Sequence, residues 1–202
     1  MATNQDIFEP EYFYHIYNKT VGNELLFTKK ANYVFFLEKY KKYLIPVVNT
    51  YAYCLMNNHF HFLIQIKEEK ILKKFETHVV FENTNFSNII SKQFSHFFNS
   101  YVQAFNKQED RKGSLLKNRF KRVRVTDEGY LKKLILYIHL NPIHHSISAS
   151  FEEWKYSSYK SILSKNHTNL CRKEVIDLFE NLENFRFCHY KDLDMDDKYI
   201  LE

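Results

Sequence analysis

Glycine and proline are scarce: each occurs three times in 202 residues, which excludes collagen-like repeats and long flexible linkers. Cysteine is equally rare. Cys54, Cys171 and Cys188 share no close spacing and form no C-x-x-C pair, so neither a disulfide framework nor a zinc knuckle is expected. Reduced thiols and a cytoplasmic location are the expectation. There is no run of eighteen apolar residues, and Met1 to Pro10 has no basic stretch followed by an apolar one, so membrane insertion and secretion are not expected. A glycine-rich phosphate loop, G-x-S-x-G and H-E-x-x-H are all missing, which leaves P-loop, serine-hydrolase and zincin chemistry without their signatures.

Aromatic residues are abundant, with 19 Phe and 15 Tyr, and a chain of this length can bury a real core. The formal charge is +5, which favours an anionic partner without identifying it. Its distribution says more. Between Lys107 and Arg124 eight Lys or Arg face only Glu109 and Asp110. Charge runs are usually solvated surface, but here Phe105, Phe120 and strand tyrosines interleave with the cations, as single-stranded nucleic acid binding requires. Arg111, Lys112, Lys117, Arg119, Lys121, Arg122 and Arg124 are the candidate DNA contacts.

The patterns predict a strand over 11–18, a helix over 29–44 ended by Pro46, and a strand over 47–56. An Asn57-Asn58 turn with positive φ values then leads into a strand from His59. A charged helix over 68–76, an unassigned stretch 77–85 and a long helix over 86–106 follow. A strand over 120–125 precedes a helix capped by Thr126 or Asp127, buried through Leu131, Leu134, Ile135 and Ile138, and stopped by Pro142. This order is the split βαβ arrangement: an α+β, ferredoxin-like, RRM-like antiparallel sheet with helices on one face and the other face left to bind. Residues 1–150 form this core, and 151–202, with a helix over 173–181, are an extension docking on it.

In the strand that follows the turn, His59 and His61 point to one face, Cα atoms roughly 6.5–7 Å apart, so two imidazoles can share a metal. An isolated H-x-H is weak evidence, since histidines often serve structural hydrogen bonds. A third group strengthens it. Tyr137 and Asn141 are four apart and share one helix face, so Asn141 can offer an amide oxygen to Mg²⁺ or Mn²⁺ while Tyr137 stands beside the ion as a nucleophile. The bland alternative is that Tyr137, one of 15 tyrosines, packs in the core. His144 and His145 are further possible ligands, whereas His139, two positions from Tyr137, points elsewhere.

The segments Tyr14-His15-Ile16-Tyr17-Asn18, Tyr53 to Ile64, Arg111 to Leu115 with Arg119-Phe120-Lys121, and Tyr137 to Pro142 resemble the single-tyrosine HUH transposases, especially the REP-associated tyrosine transposases. The resemblance spans about residues 12–160. It implies a metal-dependent nuclease and strand transferase for single-stranded or hairpin DNA, monomeric or dimeric, with residues 1–150 as its catalytic domain. It implies metal binding by His59, His61 and Asn141, and attack by Tyr137 to leave a 5′-phosphotyrosine and a 3′-hydroxyl. Asn57 stands where that family commonly has proline, and the tail beyond Tyr159 lies outside the matched region. Two alternatives remain: a non-catalytic nucleic-acid-binding protein on the same fold, and a small-molecule metalloenzyme, which leaves the basic segment unexplained.

Overall fold

The period-two pattern sorts β3 (His59–Ile66) into two faces, with Phe60, Phe62, Ile64 and Ile66 on one and His59, His61, Leu63 and Gln65 on the other. β1 (Phe13–Lys19) runs antiparallel beside it, Tyr17 opposite His61 and Lys19 opposite His59. β2 (Val48–Leu55) flanks β3, and β4 (Lys121–Val125) flanks β1, so the order is β2-β3-β1-β4 and every pairing is antiparallel. That is the ferredoxin-like sheet expected from the element order. The computed structural model describes residues 6–75 and 85–193; residues 77–84 of the unassigned stretch 77–85, the last residue of the helix expected over 68–76, and the chain ends lie outside them.

The turn between β2 and β3 departs from expectation, because neither Asn57 nor Asn58 takes a positive φ. Tertiary bonds set its shape instead. The Asn57 carbonyl accepts from the Leu26 and Phe27 amides at 2.8 and 3.2 Å, and the Asn58 carbonyl from the Thr20 amide at 2.9 Å.

α1 (Lys30–Tyr43) and α3 (Phe86–Gln108), joined to β3 through the short α2 (Glu69–Phe75), cover the phenylalanine face. Phe36 is fully buried there, its ring 4.7 Å from Phe97, 4.8 Å from Tyr101, 5.2 Å from Phe27 and 5.4 Å from Phe60. Burying such a side chain is worth about 1.5–3 kcal/mol. Phe105 and Phe120 belong to this packing and not to a stacking platform: Phe105 is 4% exposed, and Phe120 stacks on Phe94 at 4.8 Å.

The opposite face was expected to stay open, yet α4 (Glu128–His144) crosses it over β2 and β3. Ala52, Cys54, Leu63 and Val125 make that face apolar enough to need cover, and Leu134, Ile135 and Ile138 supply it. Asp127 caps the helix, its carboxylate accepting from the Tyr130 amide at 2.8 Å. Pro142 does not stop it. The proline removes one intrahelical donor, but the His145 amide still reaches the Asn141 carbonyl at 3.0 Å, closing the helix around it.

Behind α4 pack α5 (Tyr159–Leu163), α6 (Arg172–Leu178) and α7 (Leu182–Leu193), through Phe151, Tyr159, Val175, Phe179 and Phe185. The extension thus completes the second core, α6 lying where one helix was expected. No helix among the described residues is long and apolar enough to cross a membrane.

Candidate metal and tyrosine centre

β3 aims both histidines at α4, and each imidazole has one nitrogen committed. His59 Nδ1 lies 2.6 Å from Asn58 Oδ1, an acceptor, so this nitrogen carries the proton and Nε2 keeps its lone pair. His61 Nδ1 lies 2.9 Å from Nε2 of His15, which reaches it from β1. Of the two tautomers this pair can take, the one in which His61 Nδ1 donates to His15 leaves His61 Nε2 unprotonated, as a metal ligand must be. Burial holds all three rings neutral: His15 is pushed down to about 3, His59 to about 4 and His61 well below its usual value. The nearby His145 and Lys19 charges depress His59 further, while the hydrogen bond that a protonated ring could donate to Asn141, and the neutral Nδ1–H ring does not, acts in the opposite sense.

α4 brings the other two residues. Asn141 is fully buried, and its Nδ2 donates to the Tyr137 carbonyl at 2.9 Å, which orients the amide. Asn141 Oδ1 and His61 Nε2 are buried and find no hydrogen-bond partner among the described residues. Leaving such an atom unsatisfied costs about 1–3 kcal/mol, and a divalent cation coordinated by imidazole nitrogen and amide oxygen would offset that cost. The donor set fits such an ion. Among the described residues no three His, Cys, Asp or Glu side chains are grouped to hold a metal, so an ion beside the two histidines would take Asn141 as its third ligand.

Tyr137 lies on the same helix face, 7% exposed, its ring 5.6 Å from that of His61 and nearly perpendicular to it. The residues that spacing placed together from positions 59, 61, 137 and 141 therefore meet within one chain. His139 turns away, as its position on the helix requires. His145, exposed at the end of α4, has its ring 4.6 Å from that of His59.

A cleft of about 500 Å³ opens onto the histidines, lined by Tyr17, Lys19, His59, His61, Lys117, Asn118, Arg119 and Lys121. The segment before β4 is stapled to the end of β1: the Lys117 amide donates to the Lys19 carbonyl at 2.9 Å, and Asn18 Nδ2 to the Lys117 carbonyl at 3.1 Å. Arg119 takes a left-handed turn, φ 60°, before β4 begins. A larger cleft, about 600 Å³, shares no residue with this one and carries Asp127, Glu128, Glu174 and Asp177, a lining that repels phosphate.

The basic segment divides accordingly. Lys117, Arg119 and Lys121 line the histidine cleft, but the other four candidates do not. Arg111 is taken up by Glu24 and Asn106, each at 2.5 Å, because it braces the loop. Arg122 and Arg124 project from β4 toward the opposite face. Arg122 sits 4.6 Å from the Phe8 ring and bonds Ser91, and burial lowers its pKa. Arg124 pairs with Glu9 at 2.9 Å and covers the Tyr12 ring at 3.4 Å. Lys112 is exposed outside the cleft. His15, Asn58 and Lys19 escape a reading of the sequence because only strand register and turn shape bring them to the histidines.

No family model matches the chain. It is 24% identical over 152 residues to a curated Haemophilus influenzae protein named "Putative REP-associated tyrosine transposase", covering 66% of this chain and 82% of that one. Its fold is shared with a REP-associated tyrosine transposase solved bound to a REP hairpin, with a TM-score of 0.60 at 11% identity, over 82% of this chain and 87% of the other. The chain is thus similar to these transposases in sequence and in fold, in agreement with the resemblance read from its motifs.

Proposed function

We propose that this protein is a metal-dependent endonuclease and strand transferase for hairpin-bearing single-stranded DNA. The observation that carries this reading is the meeting of His59, His61, Asn141 and Tyr137 in one chain, at a cleft rimmed by Lys19, Lys117, Arg119 and Lys121. The similarity to a REP-associated tyrosine transposase, and the REP hairpin bound by the structural relative, support the choice of substrate.

In this reading His59 and His61, through Nε2, and Asn141, through Oδ1, hold Mg²⁺ or Mn²⁺. Bound there, the ion supplies Lewis acidity to the scissile phosphate. The rim cations hold the flanking phosphates, with Tyr17 beside them as a face for a base. Tyr137 Oη forms a bond to phosphorus as the bond from phosphorus to O3′ breaks, giving a 5′-phosphotyrosine and a free 3′-hydroxyl. A 3′-hydroxyl attacking that linkage reverses the exchange and joins strands. Since one chain holds all four residues, the reaction needs no helix exchanged from a second copy.

Incubation with labelled hairpin-bearing single-stranded DNA and Mn²⁺ is expected to give a covalent protein–DNA adduct that EDTA prevents and Tyr137→Phe abolishes. Salt-sensitive binding with no adduct under any divalent metal would leave the protein as a non-catalytic binder. An adduct that persists in Tyr137→Phe would remove that residue from the role.

A further inference from the structure

Behind the centre lies a buried polar chain that the proposed reaction does not use. His189 Nδ1 lies 2.7 Å from the Phe185 carbonyl, which can only accept, so this nitrogen bears the proton and Nε2 must accept. His139 Nδ1 donates to it at 2.8 Å, which leaves His139 Nε2 to accept from Ser158 Oγ at 2.7 Å. Ser158 Oγ in turn receives the Tyr53 amide at 2.9 Å, and the Tyr53 carbonyl, at 3.2 Å, is a more distant acceptor for its one proton than His139 Nε2. The Phe185 carbonyl therefore orders the protons of both imidazoles, and the nearer of the serine's two acceptors, His139 Nε2, takes the Ser158 proton. Ser158, His139 and His189 are each 0% exposed, so this serine–histidine–histidine series cannot reach a substrate.

Its placement gives it another use. His139 is two residues from Tyr137 and two from Asn141, about 200° around the helix from each, so holding it fixes the rotation of the face opposite. The bond also acts within one turn of Pro142, where the helix has lost a backbone donor. The partners come from the extension: the Ser158 amide donates to the Tyr53 carbonyl at 2.9 Å and the Leu55 amide to the Tyr156 carbonyl at 2.9 Å, seating residues 156–158 on the edge of β2.

We propose that the C-terminal extension is a clamp on α4, in which Ser158, His139 and His189 are positioning residues that set Tyr137 and Asn141 against His59 and His61. This rests on the reading of that centre given above. His189→Phe keeps a ring among Phe151, Tyr159 and Phe185 but removes the acceptor for His139. His189→Gln places an amide oxygen near the lost Nε2 and is the rescue. Ser158→Ala breaks the other end with minimal change in volume.

Three readouts separate clamping from general structural support. In the metal-free protein, the NMR shifts of the His61 ring protons, set by the Tyr137 ring beside them, move in His189→Phe and in Ser158→Ala and return in His189→Gln. Mn²⁺ affinity falls by about 10-fold or more in the first two, the usual consequence of disturbing a ligand's support, with DNA affinity measured without metal unchanged. Adduct formation slows in parallel. Unaltered His61 shifts with wild-type Mn²⁺ affinity in folded His189→Phe or Ser158→Ala would overturn the clamp, as would equal losses in His189→Phe and His189→Gln. If His189→Phe does not fold, Ser158→Ala decides by the same measurements. A wild-type protein that forms no adduct defeats the nuclease reading, while the His61 shifts still decide the clamp.

Discussion

On the α1 and α3 side of the sheet, Phe60, Phe62, Ile64 and Ile66 meet Phe36, Phe94, Phe97 and Tyr101. On the α4 side, the alternate residues of the same strands place His15, His59 and His61 against Asn141 and Tyr137. Both faces are buried, but their chemistry differs. The first removes apolar area from water and leaves its few hydroxyls bonded, as Tyr40 is to Thr50 at 2.7 Å. The second buries imidazoles and an amide, and there Asn141 Oδ1 and His61 Nε2 find no hydrogen-bond partner among the described residues. Stability is gained on one side and partly spent on the other, a division expected where a site must bind what the fold does not supply.

The sharpest test of this contrast is Phe36→Ala. It is expected to lower stability by about 3–5 kcal/mol in urea unfolding, from lost transfer energy and the cavity left among the rings. Any folded fraction should keep its Mn²⁺ affinity. A loss below 1 kcal/mol would show that the aromatic face is not the main source of stability.

Acid acts on the other side. His189 is held at about 4 by burial, below the usual 6.5, so between those values the unfolded chain binds protons that the folded chain refuses. This contribution is complete above pH 6.5 and declines as the pH falls through that window, by about 2 kcal/mol at pH 5 for this one group. His15, held at about 3, acts with the same sign. Urea midpoints measured at pH 7 and pH 5 should differ accordingly, and a flat profile would contradict the burial of neutral imidazoles.

Asn141→Leu sharpens the comparison from within the site. Removing the unsatisfied Oδ1 and adding a helix-favouring side chain is expected to raise metal-free stability by about 1 kcal/mol. Mn²⁺-dependent stabilisation should be lost at the same time. A destabilised Asn141→Leu would mean that the bond to the Tyr137 carbonyl outweighs the unsatisfied oxygen. The smallest effect separates the cations: Lys121→Ala should reduce the salt slope of DNA binding by about one, whereas Arg124→Ala, which breaks an internal pair with Glu9, should leave it nearly unchanged.

The basic segment looked uniform because a charge run does not reveal which members are paired: Arg111 is neutralised by Glu24, 87 positions away. In β4 the alternation was legible but not its phase, and phase decides that Lys121 faces the histidines while Arg122 and Arg124 do not. Pro142 looked like a stop because its missing donor is a local property, whereas the burial that keeps α4 going is not. α5 and α7 are short or weakly amphipathic and gain their stability from packing on α4, so no periodicity announced them.

Local covalent geometry determined what the chain could specify alone. Strand alternation set His59 and His61 on one side and phenylalanines on the other, and helical spacing put Tyr137 and Asn141 on a common face. Tertiary structure decided what those faces meet. The contact of Tyr137 with His61, the Nδ1 partners that leave both Nε2 atoms facing inward, and the Ser158–His139–His189 chain all join residues far apart in sequence. Their geometry depends on strand register and on the seating of the extension over α4, and both are settled by burial of whole faces, to which no single segment holds the key.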